Sequence, residues 1–83
     1  MEAIGTLVCS KAGRDKGKRF VIVGIFDENH VLVADGELRK VSNPKKKKLK
    51  HLQFENRRVS EIEEWLTGDC GVADSKIRNA VQK

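Results

Sequence analysis

Aromatic residues are scarce in this chain, with three phenylalanines, one tryptophan and no tyrosine among 83 residues. A row of aromatic platforms for stacking successive bases of a single strand is therefore not expected. Cysteine is equally sparse. Cys9 and Cys70 lie far apart without paired spacing, so neither a disulfide framework nor a metal site is expected. Both are read as structural, Cys9 as a small apolar residue of a strand. No apolar run approaches the roughly eighteen residues that a membrane-spanning helix needs. The N-terminus shows no basic stretch followed by an apolar one, so no secretory leader is read and the cytoplasm is the expected compartment.

Catalytic signatures are missing as well. No Cys–His pair comes with an orienting group, and no glycine motif of a phosphate or dinucleotide loop occurs. Glu61, Glu63 and Glu64 suit the first turn of a helix, where the helix dipole favours acids. Asp35 suits a turn. The expectation is a protein without enzymatic activity, cofactor, metal or small-molecule substrate.

Charge is abundant, and it is distributed unevenly. The chain carries 17 Lys and Arg against 12 Asp and Glu, a formal net charge of +5. Residues 1–58 hold 14 basic and 7 acidic residues, a net of +7, whereas residues 59–83 hold 3 and 5, a net of −2. The cationic part is more basic than the total suggests, which favours a polyanionic partner.

The length fits one domain with a modest core. Residues 4–9 and 19–26 read as strands rich in β-branched and aromatic residues. The second, "RFVIVGIF", is apolar on both faces, as expected of a strand buried at the centre of a small barrel. Residues 30–34, "HVLVA", read as a third strand with Val31 and Val33 on one face. Asp35-Gly36 signals a tight hairpin, and "ELRKV" at 37–41 is expected to return as a fourth strand. "LKHLQ" at 49–53 is a short final strand that could pair with the first. The fold class expected is mainly β, a small barrel of about five strands over residues 1–58.

After Arg58 the pattern changes to a helical one. Ser60 and Glu63 have capping-box spacing. Ile62, Trp65 and Leu66 form one apolar stripe, with Gly68 as the stop. Asp74 is expected to cap a second helix whose stripe is Ile77, Ala80 and Val81. Residues 60–67 and 74–82 are thus read as two short helices, a C-terminal appendage over 59–83 that must dock to be stable. Trp65, Phe20, Phe26 and Phe54 are all expected in the core.

Two stretches carry the candidate chemistry. The loop "SKAGRDKGK" places Lys11, Arg14, Lys16 and Lys18, followed by Arg19, around Gly13 and Gly17. Glycine lets the backbone come close to a ligand, and the cations neutralise phosphate. The competing reading is a solvated loop with glycines for the turn. "LRKVSNPKKKKLKHL" holds Arg39, Lys40, Lys45, Lys46, Lys47, Lys48 and Lys50, seven positive charges in fifteen residues and no negative one. Such a segment can lie along a phosphate backbone, with a merely solvated lysine run as the alternative. His51 could stack on a base, although packing or hydrogen bonding is the favoured role.

"GTLVCSKAGRDKGKRFVIVGI" resembles a KOW motif, with apolar and polar positions alternating around Gly13. "DENHVLVADG", "LRKV" and "KHL" follow in an order similar to the large-subunit ribosomal protein numbered fourteen in the archaeal and eukaryotic series, and to small stand-alone bacterial KOW proteins. The resemblance covers residues 4–52, with "GVADSKIRNAVQK" more loosely similar. It implies an SH3-like barrel that binds RNA, ribosomal RNA in particular, with other ribosomal proteins as possible partners. His51 gains some weight as an RNA contact from "KHL". The alternatives are a protein-interaction KOW module of a transcription or ribosome-assembly complex, and nonspecific DNA binding.

Overall fold

The computed structural model of the chain describes residues 4–59 and 62–82, without the side chains of Glu63 and Trp65. Three strands form where β-branched and apolar residues cluster: Thr6–Ser10 (β1), Arg19–Ile25 (β2) and His30–Ala34 (β3). Lys45–Lys48 (β4) and Leu52–Arg58 (β5) complete one antiparallel sheet in the order β4-β3-β2-β1-β5. A 3-10 turn, Leu49–His51, joins the two edge strands. The Leu49 amide donates to the Asn29 carbonyl and the Lys11 amide to the His51 carbonyl, both at 2.8 Å. These bonds draw the turn against both the β2–β3 connection and the β1–β2 loop. The result is the mainly β, five-stranded, small barrel-like domain that the sequence leads one to expect.

Alternation along the strands divides the core in two. Val8, Phe20, Ile22, Val31, Val33 and Leu52 fill the barrel interior. Leu7, Val21 and Ala34 point the other way and meet Ile62, Ala73 and Ile77. Those three come from the helices Ile62–Thr67 (α1) and Cys70–Val81 (α2). β2 is therefore covered on both faces, which is why its sequence is apolar without alternation. A six-residue and a twelve-residue helix are too short to persist alone. Burying a side chain such as Ile77 contributes about 2 kcal/mol to holding them on the sheet.

The fourth strand is not where the sequence pattern places it. Residues 37–41 form an irregular connection, because Asp35 closes it locally. Its carboxylate accepts from the amides of Glu37 and Arg39, each at 2.8 Å. The amides of Asp35 and Gly36 both donate to the Arg39 carbonyl. The Val41 amide then donates to the Asp74 carboxylate at 2.8 Å, so these groups are spent before they can pair in a ladder. The lysine run supplies β4 instead, with Lys45 opposite Val33 and Lys48 opposite His30.

Other boundaries shift for comparable reasons. The final strand begins at Leu52 and runs on to Arg58, paired with β1 as expected. α2 begins four residues before the expected position, since Asp69 caps it by accepting from the amides of Gly71 and Val72. Asp74 is buried inside that helix and holds the 36–44 connection rather than an N-terminus. Phe20 is a core residue, but Phe26 is 56% exposed and Phe54 44%, against the expectation of burial. The capping box involves Ser60, and the packing of the Trp65 side chain lies likewise outside the described residues.

Candidate functional site

The β1–β2 loop is closed at its base and open at its tip. Ser10 and Lys18 face each other through Ser10 N–H to Lys18 O at 2.9 Å, and Gly17 N–H donates back to Ser10 O at 2.9 Å. Between them Gly13–Asp15 makes one 3-10 turn. Gly13 has φ +75° and open space around its Cα, so glycine serves the turn by its torsion and not by fit. Lys11, Gly13, Arg14, Lys16 and Lys18 are exposed around this turn.

Asp15 is the exception, and it organises the surface. It is only 9% exposed. Lys45 donates to its Oδ2, and Lys47 Nζ lies 3.0 Å from the same atom. Lys18 stands at 4.0 Å from Oδ1. The two donating lysines, together with their positive field, hold the Asp15 carboxyl down at about 2. Lys47 also reaches Ser10 Oγ at 3.5 Å. A loop on one side of the barrel and an edge strand on the other are thereby fastened together.

Period two in β4 sorts its lysines. Lys45 and Lys47 turn toward Asp15 and are half-buried, whereas Lys46 and Lys48 face outward. Lys46 Nζ sits 4.5 Å from the centroid of the Phe26 ring, a cation–π contact. Lys50 is exposed in the following turn, and His51 is half-buried there. Among the described residues, Lys11, Arg14, Lys16, Lys46, Lys48 and Lys50 make no salt bridge. Lysine on an edge strand also blocks pairing with a further strand.

The remaining sequence-predicted cations are placed differently. Arg19 grips Glu55 with two bonds, Nε to Oε2 at 2.8 Å and Nη2 to Oε1 at 2.7 Å, and Nη1 donates to the Val81 carbonyl at 3.2 Å. The pair raises the Arg19 pKa and lowers that of Glu55. This guanidinium fastens β5 and the end of α2 to β2. Arg39 lines a depression of about 170 Å³ with Asp15, Lys18 and Lys45, so it lies beside the loop. Lys40 is exposed next to Val41, the residue tied to α2, and among the described residues no salt bridge joins it to the loop.

Two participants are invisible to a reading of basic residues alone. Asp15 had a signal: four lysines in one strand must turn two inward, and the sole acid of the basic loop is their natural partner. Phe26 had none, since its exposure depends on its place just past the end of β2, outside both core clusters.

The fold and the charge arrangement define a class, a small five-stranded barrel with one loop and one edge strand joined into a cationic surface. No protein-family model matches the chain.

Proposed function

We propose that the chain is an RNA-binding protein of the KOW type, related to the large-subunit ribosomal protein family numbered fourteen, and that it binds ribosomal RNA in the cytoplasm. One observation carries the reading. Asp15 pairs with the inward Lys45 and Lys47, whereas Lys11, Arg14, Lys16, Lys48 and Lys50 are exposed cations without a salt bridge among the described residues, on two segments held side by side. Such a surface suits contact with phosphates through charge and with a folded RNA through shape.

The test is a titration of the full chain with structured ribosomal RNA fragments over a range of salt. If about five phosphates are neutralised, log affinity falls with log salt at a slope of roughly −3 to −4 where they lie on single-stranded segments. A flat response between low and physiological salt counts against the proposal. The charge reversals Arg14→Glu and Lys16→Glu should abolish crosslinking to RNA. Unchanged RNA binding with a lost protein partner would favour a protein-interaction module instead, and equal affinity for duplex DNA would favour a nonspecific binder.

A further inference from the structure

We propose that Phe26, His30, Lys46 and Lys48 form a subsite for one unstacked nucleotide of the bound RNA, the base on the Phe26 ring and its phosphate between the lysines. The assignment rests on the RNA reading above and specifies what one part of the surface recognises.

Register places His30, Lys46 and Lys48 on one face. His30 is opposite Lys48 and Leu32 opposite Lys46, while Val31 and Val33 point into the barrel. His30, Lys46 and Lys48 therefore look outward together. α1 and α2 cover this outward face at Val21 and Ala34, and leave it open at the β2–β3 end. Phe26 stands at that open end, its ring centroid 6.3 Å from that of His30 in an edge-on arrangement. With Lys46 over one ring face the residue is still 56% exposed, so aromatic surface is left for a ligand.

Beside the ring lies a depression of about 450 Å³ lined by Asn29, His30, Lys48, Leu49 and Lys50. That volume falls within the range of small-molecule sites and accommodates a nucleotide. Its apolar floor, Leu49, is flanked by cations without ion-pair partners among the described residues.

Charge decides the orientation. Asp27 and Glu28 occupy the tip of the β2–β3 turn. The Asp27 carboxylate is 2.8 Å from His30 Nδ1 and accepts from the Asn29 amide at 2.8 Å, which fixes the imidazole. Carboxylates at the tip repel phosphate, while Lys46 and Lys48 attract it along the strand. A nucleotide thus meets the ring with its neutral base. A protein surface of acidic side chains would have no use for the aromatic face.

The experiment compares a short oligoadenylate with an abasic ribose-phosphate oligomer of equal length and charge. Phe26→Leu keeps the apolar volume and removes the π face. It should weaken oligoadenylate binding by about tenfold, leave the abasic oligomer unaffected and leave the melting temperature unchanged. Phe26 ring protons should shift upfield with oligoadenylate alone. Lys48→Gln should weaken both oligomers.

Equal oligoadenylate affinity in wild type and Phe26→Leu overturns the subsite, and so does a wild type that binds structured RNA but no oligoadenylate. If Arg14→Glu with Lys16→Glu still abolishes binding to structured RNA in either case, the RNA reading survives. Binding to none of these ligands removes both. A protein complex dissolved by Phe26→Leu, with RNA affinity intact, assigns the face to a protein and overturns the subsite.

Discussion

Lys47 Nζ lies 3.0 Å from Asp15 Oδ2, and this contact joins the edge strand β4 to the tip of the β1–β2 loop. The pair separates two tasks within one run of lysines. Inward side chains hold the barrel mouth closed through Asp15, and outward ones keep their charge available. Both partners are only 12% exposed at the side chain, so water and salt screen the contact less than a surface pair.

Acid should loosen the fold through this carboxylate. Asp15 has its pKa depressed from 3.8 to about 2, so its contribution is complete above the unfolded value and disappears as pH falls toward the folded one. The difference corresponds to about 2 kcal/mol lost between pH 5 and 2. Asp27 and Glu55, also depressed, act in the same direction. Urea unfolding across that window should show the decline, and Asp15→Asn should be less stable at neutral pH with a flatter pH profile. An unchanged profile in the variant would sink the account.

Neighbouring lysines should behave oppositely. Lys47→Gln removes an inward partner of Asp15 and should cost about 1 kcal/mol in unfolding, with Lys45 retaining part of the pairing. Lys48→Gln should leave stability unchanged and reduce the salt slope of RNA binding by about 0.7. Paired melting and binding curves check both halves of the contrast.

Arg19→Lys tests whether that cation is a clasp. Lysine cannot reproduce the fork on Glu55 while also reaching the Val81 carbonyl. Stability should fall by about 1 kcal/mol, with RNA affinity and its salt slope unchanged. A loss of affinity without a loss of stability would return Arg19 to the contact surface.

Two glycines should differ in their tolerance of alanine. A Cβ at Gly36, where φ is +80°, would stand 2.1 Å from the Asp74 carbonyl oxygen and 2.8 Å from the Arg78 amide. Gly36→Ala should cost about 3 kcal/mol or more, since backbone must move. At Gly13 the same φ region is occupied with nothing nearby, and Gly13→Ala should cost only about 1 kcal/mol. Thermal melts of the two variants, ranked in that order, are the check.

Much of the fold is legible in the sequence because it rests on local periodicity. The apolar and β-branched runs read at residues 4–9, 19–26 and 30–34 mark three strands, found at 6–10, 19–25 and 30–34, and the doubly apolar "RFVIV" marks the one covered on both sides. The change to helical spacing after Arg58 and the separation of charge between the two parts are likewise properties of the chain alone. What periodicity cannot register is competition for the same backbone group by partners distant in sequence. Asp74 takes the Val41 amide, so the strand expected at 37–41 does not form and the lysine run becomes β4.

The same limit applies to the cationic surface. The sequence by itself determined where positive charge accumulates, since charge belongs to residues one at a time. Which lysines are consumed by Asp15 and which remain free was decided by tertiary structure, because burial and pairing depend on what folding brings within a few ångströms. Phe26 is exposed for a related reason. An apolar residue is buried only where another element covers it, and Phe26, just past the end of β2, joins neither core cluster among the described residues.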